Sequence, residues 1–382
     1  MQLKSKGRIA AIGFRGVPHV IGGIETHCEH LYPALAEAAP DLDIIMIARS
    51  RYVTASNNRL GKVRLVALPA PKHGAIETLV HTPLAIVYAR WWLQAAIVHL
   101  HGIGPGFFAP LARILGMQVI VTHHAADFER PKWGRLARSF LRVGERLMAR
   151  FADRVICVSD TVQREFLSRH NEAVGRTMTI QHGLDLQASV DGLDFLADQH
   201  LVSGGYLLAV GRLEPTKRFE DLLAAHALHP AALPLIIVGS SINNADYEAE
   251  LRDLAENGVG GSVRFLGFRT GDELSALYTH AAVLLHPSEM EGFGLVILEA
   301  LAFGAPTIVS DIPVHREFGL PADHYFPVGD QVAIGAIMAK TQVRTAPWPQ
   351  AAAIVARYSS APAVEAHAVV FRQLMNSSNT AQ

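Results

Sequence analysis

Short, almost unbroken apolar runs separated by helix-length stretches recur along the whole chain, and this alternation constrains the fold more than any other feature. In the first half the runs fall at 8–14 (RIAAIGF), 43–49, 63–68, 96–101, 118–122, 154–158 and 177–181. After a less patterned stretch from Gly183 to Gly205 they restart at 206–210 (YLLAV), 234–238, 263–267, 282–286, 306–310 and 325–328. Strands that lack polar alternation are buried on both faces, as in a parallel sheet covered by helices. The two sets therefore predict two doubly wound, Rossmann-like α/β domains with right-handed crossovers. A length of 382 residues also exceeds what one ordinary core accommodates. The expected divisions are a first domain at 1–185, a linker at 186–205, a second domain at 206–360, and a terminal segment at 361–382. That segment is expected to form a helix over 363–376 and an unstructured tail after Asn376.

Composition narrows the class. Half the residues are hydrophobic and 18% are charged, which excludes a disordered or fibrous chain. A net charge of −1 argues against general nucleic-acid binding. Cys28 and Cys157 lack metal-type spacing and are expected to be reduced core thiols of a cytosolic protein. Lys4, Lys6 and Arg8 lead into a short strand and a glycine loop, so no secretory leader is expected there. No apolar run reaches the roughly 18–20 residues that span a bilayer, the nearest being broken by Arg90. The expected location is cytoplasmic, at most peripheral on the inner face of the cell membrane.

Chemistry concentrates at residues 289–311, EMEGFGLVILEALAFGAPTIVSD. Gly292, Phe293 and Gly294 form a turn that opens a helix, with Glu291 before it and Glu299 two turns along. A glycine turn feeding a helix offers unpaired N–H groups and the positive end of the helix dipole to an anionic or hydroxyl-rich ligand. The two carboxylates could grip separate hydroxyl-bearing parts of one extended molecule, a shape that fits a sugar nucleotide. Solvent exposure is the ordinary fate of an arbitrary Glu pair, but the flanking pattern here is particular. A second segment, Leu208-Ala-Val-Gly-Arg-Leu-Glu-Pro-Thr-Lys-Arg218, runs from a strand through Arg212 to Lys217 at the start of a helix.

Together these segments resemble the Glu-x7-Glu motif and the Gly-Arg-Leu…Lys segment of retaining family 4 glycosyltransferases. Those enzymes have the GT-B fold, two doubly wound Rossmann-like domains facing across a cleft. The resemblance implies a nucleoside diphosphate sugar as donor, its nucleotide mainly on the second domain. It implies Arg212 and Lys217 on the diphosphate, Glu299 on the ribose, and Glu291 with the Phe293, Gly294 and Leu295 backbone on the sugar. Fixed cations suit a diphosphate that gains charge as it departs. Retention by front-face attack is implied as well, and a C-terminal helix of this fold often returns to the first domain. No Asp-x-Asp motif stands in the expected place, so neither an essential metal nor another cofactor is expected beside the donor.

In the first domain, the glycine pair Gly22-Gly23 after strand 8–14 lets backbone approach a ligand closely and opens a helix. It is not Gly-x-Gly-x-x-Gly, which weakens a dinucleotide reading. It resembles the family's Gly-Gly-x-Glu segment, which closes over the donor phosphates. Glu25 reads equally well as that Glu or as a first-turn residue favoured by the helix dipole.

Residues 121–134 (VTHHAADFERPKWG) follow a strand at its C-terminal end, where doubly wound sheets bind ligands. They resemble a His-x-x-Asp…Lys-Trp-Gly stretch of a rhamnosyltransferase-like branch. Spacing aligns His124 with the branch's histidine, which contacts the transferred sugar, while His123 stays open as the alternative. Ala125 stands where that branch carries Gly, which leaves the sub-branch and the sugar open. His124 and Glu291 are the candidate catalytic residues, and Asp127 and His123 the candidates on the acceptor side.

The helix at 133–150 carries Arg135, Arg138, Arg142, Arg146 and Arg150 along one stripe, with Leu136, Phe140, Val143 and Leu147 as its apolar side. Two readings stand: contact with anionic lipid headgroups, or an ordinary solvated face with Glu145 pairing locally. The expected activity is transfer of a sugar to a hydroxyl of a saccharide or lipid-linked saccharide, in bacterial envelope or exopolysaccharide synthesis. A sugar-nucleotide epimerase or hydrolase of the same fold, or a non-catalytic nucleotide-sugar binding protein, would use the same donor residues. Acceptor choice is expected to lie in loops such as 50–62 and 70–80.

Overall fold

The computed structural model describes residues 7–53, 58–72, 74–126, 128, 134–185, 187, 191–230, 232–241, 244–258 and 262–380. The chain divides into two units, Met1–Gly183 with Ser360–Gln382, and Leu184–Ser359.

The first unit holds β1 (Arg8–Ile12), β2 (Asp43–Arg49), β3 (Arg59–Leu60), β4 (Val63–Leu68), β5 (Ile97–His101), β6 (Gln118–His123), β7 (Arg154–Cys157) and β8 (Thr177–Thr179). They lie in the order β3-β4-β2-β1-β5-β6-β7-β8, parallel except for the antiparallel β3–β4 pair. The second unit holds β9 (Leu207–Val210), β10 (Leu235–Val238), β11 (Val263–Gly267), β12 (Val283–His286), β13 (Thr307–Ser310) and β14 (Tyr325–Phe326). Their order is β11-β10-β9-β12-β13-β14, parallel throughout. In both sheets strand order reverses beside the first strand, between β1 and β5 and between β9 and β12. Beyond the carboxyl ends of strands at such a switch point, neighbouring loops diverge and leave a crevice.

The apolar runs become these strands because both faces are covered: Ile9–Ile12, Ile97–Val98 and Leu207–Ala209 are fully buried. The 8–14 run yields a shorter strand. Gly13 takes φ +114°, and a Cβ there would lie 2.6 Å from the His101 carbonyl oxygen, so the chain leaves the sheet against β5. The short edge strand β3, in a polar stretch, gave no apolar signal.

The terminal helix runs Ser360–Thr380, through the tail expected to be unstructured beyond Asn376. Val364, Ala368, Phe371 and Leu374 recur every three or four residues and join Cys28, Leu31, Tyr32 and Leu35 of helix Gly23–Ala38 in one core. Arg372 adds an ion pair with Asp41 at 2.7 Å. Between Gly183 and Gly205, helix Leu193–Asp198 puts Leu196 into the second unit's core beside Tyr206, Leu208 and Ile236. That apolar anchor makes this part of the expected linker an integral layer of the second unit. Cys28 and Cys157 are buried free thiols. Among the described residues no helix is long and apolar enough to cross a membrane.

Candidate active site

In the second unit the loops leaving β9 and β12 are stitched together at the switch point. The Thr216 carbonyl accepts from Ser288 Oγ at 3.1 Å and from the Glu289 N–H at 3.0 Å. This brings the turn Pro215–Lys217 against the loop that carries Glu291. Lys217 Nζ donates to Glu291 Oε1, and His286 Nε2, at the end of β12, meets the same oxygen at 2.8 Å. Burial works against the Glu291 charge, yet Lys217 and His286 hold its carboxyl well below the usual carboxylate range. His286 is pushed down by burial, against the pull of Glu291.

Gly294, at φ +101°, opens helix Leu295–Ala302, and no side chain caps that helix start. The Phe293 ring packs at 5.3 Å from Phe318 and 5.7 Å from Tyr358, so this residue offers a ligand its backbone and not its ring. Glu299 accepts from Tyr278 Oη at 2.8 Å. The residue is half-buried as a whole, and its carboxyl sits deep enough that lost hydration raises it to about 7, the tyrosine bond offsetting only part of this. Arg212 pairs with Glu214 at 3.0 Å and stays partly exposed. Arg212, Lys217, Glu291, the 293–295 backbone and Glu299 thus all lie on the loops and the helix that follow β9 and β12.

Sequence reasoning missed His286 and His315. His315 Nδ1–H donates to the Ser310 carbonyl at 2.8 Å, which leaves Nε2 as a buried acceptor with no hydrogen-bond partner. His286, Glu291 and His315 bring one ligand atom each within 4.8 Å of one another, a set that could hold a metal ion. The Lys217 ammonium on the Glu291 oxygen opposes a second cation there. The signal for His286 was its place at the end of an apolar run; His315 had none.

In the first unit Gly22, at φ +145°, precedes helix Gly23–Ala38. A Cβ on it would lie 2.1 Å from Glu25 Oε2. Glu25 accepts from the Arg15 N–H and from Arg15 Nε, each at 3.0 Å, while Arg15 Nη2 donates to the Ile21 carbonyl. Glu25 is therefore a buried strut that closes the 15–22 loop. A Cβ on Gly23 would meet nothing within 4 Å, so internal packing sets no requirement for glycine there.

The two adjacent histidines part company because successive strand residues face opposite sides of a sheet. His123, the last residue of β6, is fully buried with Nε2 2.9 Å from Glu145 Oε1. Glu145 also receives Arg169 at 2.9 Å and His170 at 3.1 Å; burial raises its carboxyl, but His123 and then Arg169 bring it down to about 2. His123 thus belongs to an internal polar cluster, which corrects its candidacy on the acceptor side: its imidazole has no surface to offer. His124 turns the other way, its Nε2 3.2 Å from His101 Nδ1. Around it lie His27 and His182, their ring centres 5.5 and 5.9 Å away. Asp127 lies outside the described residues.

His27, His99, His101, His182 and His367 with Tyr32 complete this cluster, and none was singled out from sequence. The available signal was His99 and His101 two apart in β5, hence on one face. Burial first, then their mutual charge, drives His27, His99, His101 and His182 well below the usual histidine range, and burial brings His367 to about 4. These rings are neutral at pH 7.

The arginine helix, Arg135–Phe151, also departs from expectation. It buries Leu141, Gly144, Glu145, Met148 and Ala149, and leaves Leu136 and Val143 outward among the arginines. Gly144 sets this rotation: a Cβ there would lie 2.8 Å from the Ile103 carbonyl oxygen, so the neighbouring backbone fits only against glycine. Glu145 is turned inward, which removes it as a local partner for the exposed arginines.

Two Rossmann-ordered sheets, each with polar side chains gathered at its switch point, are the architecture of a GT-B glycosyltransferase, and the chain is one. It matches the family model for Glycosyltransferase Family 4 over residues 21–188 and that for Glycosyl transferases group 1 over 200–324. It is 30% identical over 236 residues to the O-antigen chain mannosyltransferase B of Escherichia coli, covering 58% of this chain and 60% of that protein. The sucrose-phosphate synthase of Thermosynechococcus elongatus superposes with a TM-score of 0.79 at 23% identity, over 97% of this chain and 100% of that one. Anabaena HepE in complex with UDP and glucose gives 0.77 at 20% identity, over 96% and 99%. At these identities the likeness to both structures concerns the fold.

Proposed function

We propose that this chain transfers a sugar from a nucleoside diphosphate sugar to a hydroxyl of a saccharide or lipid-linked saccharide, in bacterial envelope or exopolysaccharide synthesis. The observation that carries this reading is the Lys217–Glu291–His286 cluster beside an uncapped helix start. It sets a cation, a carboxylate and free backbone N–H groups within one loop pair. Donor binding exchanges partners: Lys217 passes to the diphosphate with Arg212, and Glu291 becomes available to a sugar hydroxyl. Glu299, as carboxylate, takes the ribose hydroxyls. Gly22 and Gly23 approach the phosphates, and Gly23 is the position whose missing side chain a ligand would use.

The bond from the anomeric carbon to the diphosphate oxygen breaks as the acceptor oxygen attacks from the same face, and the departing phosphate takes the acceptor proton. Configuration is retained on this route. Arg212 and Lys217 stabilise the charge that grows on the leaving diphosphate, a task for fixed donors in a recessed site. The reading assigns no step to a metal or other cofactor. His124 contacts the transferred sugar, and the 121–134 resemblance makes a rhamnosyl donor the first sugar to offer. UDP is the first base, since the Anabaena protein of the same fold is complexed with it.

The test is a thermal-shift screen against UDP, GDP, dTDP and ADP and their common sugar conjugates. A ligand at 100 times its dissociation constant stabilises a fold by about 2.7 kcal/mol. A shift with one base, lost in Glu299→Ala, supports the assignment; no shift with any of them overturns it.

A further inference from the structure

We propose that one helical face of the first unit docks on an anionic bilayer, with helix Gly74–Trp91 entering the headgroup boundary and helix Arg135–Phe151 as its cationic flank. This deepens the lipid-linked-acceptor reading and rests on it for its purpose.

Helix Gly74–Trp91 is inverted relative to a helix that faces water. Its acidic residue, Glu77, points inward and is buried between Arg49 at 2.7 Å and Arg51 at 2.6 Å. His81 and Thr82 are buried as well. Outward stand Ile76, Leu79, Val80 and Leu84, each about 40–50% exposed, followed by Trp91 at 60% and Trp92 at 66%. Steps of three, four and seven put them on one stripe. A globular protein ordinarily turns the polar face of such a helix to solvent, and a contiguous apolar patch marks a site of association.

The neighbouring helices supply the rest of the surface. Helix Ala109–Ile114 packs against both Gly74–Trp91 and Arg135–Phe151 and exposes Ile114 at 82%. On Arg135–Phe151, Leu136 and Val143 stand outward among Arg135, Arg142, Arg146 and Arg150, with Glu145 turned away. An open pocket of about 410 Å³ lies between Arg146, Arg150, Arg169, His170 and Glu172, at the end of the same stripe.

Apolar chains with tryptophan, flanked by arginines whose helix turns its own acid, Glu145, inward, match a membrane interface, with Glu172 the exposed acid at the far end of the stripe. The indoles sit at headgroup depth, the aliphatic chains reach the acyl boundary, and the guanidinium groups meet anionic lipid. A second copy of the chain suits the surface less well. A two-fold contact pairs this face with itself, so the arginine stripe would meet no anionic counterpart of matching extent.

The test is co-sedimentation of the full chain with vesicles of phosphatidylcholine alone and of phosphatidylcholine mixed with phosphatidylglycerol. Binding is expected to the mixed vesicles and to weaken as salt is raised. Leu79→Glu with Leu84→Glu should abolish it, and because each side chain is only about 40% exposed the variant's urea midpoint is measured alongside to confirm that it is folded. Arg142→Glu with Arg146→Glu should weaken it by about 30-fold or more, at roughly 1 kcal/mol per cation near the surface. No binding to either vesicle, or full binding by the Leu79/Leu84 variant, overturns the proposal. So does a dimer in light scattering that this variant dissociates, which would reassign the face to a second copy. The donor screen is run on the same preparation: a nucleotide-induced shift without vesicle binding removes the docking face and leaves glycosyl transfer standing.

Discussion

His101 Nδ1 lies 3.2 Å from His124 Nε2, at the end of a buried hydrogen-bonded chain. From the far end the links are Thr122 Oγ1 to His99 Nε2 at 2.7 Å, His99 Nδ1 to Tyr32 Oη at 2.9 Å, and Tyr32 Oη to His101 Nε2 at 2.5 Å. With His99 and His101 neutral, two proton arrangements satisfy every link. If Tyr32 donates to His99, His101 Nε2–H donates to Tyr32 and His124 Nε2–H donates to His101. If Tyr32 donates to His101, every bond reverses and His124 Nε2 becomes the acceptor. The polarity of one tyrosine hydroxyl thus sets the tautomer of the candidate active-site histidine.

Tyr32→Phe should therefore do two things. It leaves His99 Nδ1 and His101 Nε2 without their shared partner, at about 1–3 kcal/mol, read as a lower urea midpoint. It should also change the imidazole ¹⁵N shifts of His101 and His124. Unaltered shifts would show that the hydroxyl does not direct the tautomer.

Acid should destabilise the first unit steeply. Burial holds His27, His99, His101, His182 and His367 below the unfolded histidine value, so below about 6.5 the unfolded chain takes up protons that the folded one does not. Their contribution is complete above that value and is lost as pH falls toward 4, at about 1.4 kcal/mol per pH unit per group. Urea midpoints across this range check the slope, and His367→Gln should make it shallower by one proton. Equal stability at both ends would contradict the burial of these rings.

Donor affinity should rise with pH and level off above about 7, because the Glu299 carboxyl is raised to about that value and must ionise to accept two ribose hydroxyls. The same shift lowers fold stability as pH rises from the ordinary glutamate range through 7, since the folded state holds the proton more tightly. Isothermal titration with the nucleotide found in the screen measures the first effect. Glu299→Gln, which mimics the protonated acid, should bind more weakly than the wild type above about 7, converge with it at low pH and show no slope; a slope that persists would assign it elsewhere.

Arg212→Ala and Lys217→Ala should each lose a charge-assisted contact to the leaving diphosphate, on the order of 2–4 kcal/mol of transition-state stabilisation. The Lys217 variant also leaves Glu291 without its ammonium partner, so its carboxyl should titrate at higher pH. Turnover with the donor from the screen is the measurement, and full activity in both variants would remove them from the site.

Much of the fold was legible because buried parallel strands write themselves as unbroken apolar runs, from Ile9–Ile12 to Thr307–Ser310. Boundaries were less so: Gly13 ended β1 early for want of room against His101, and nothing local in residues 377–380 foretold that the last helix continues. At the candidate site, Glu291, Gly294 and Glu299 were legible through their spacing around a helix start. His286 and His315 were not, since one lies five residues before Glu291 and the other in the short helix Pro313–Arg316 that follows a later strand.

Local pattern alone determined the two Rossmann-like sheets and the glycine turns, because strand periodicity, helix starts and glycine act within a few residues along the chain. The tertiary structure alone decided which way side chains point. It turned His123 toward Glu145 and His124 toward His101, drew Lys217 onto a carboxylate 74 positions away, and rotated Leu136 and Val143 outward by seating Gly144 on Ile103. These outcomes depend on neighbours supplied by distant segments, and a contact between distant segments has no period in the sequence to announce it.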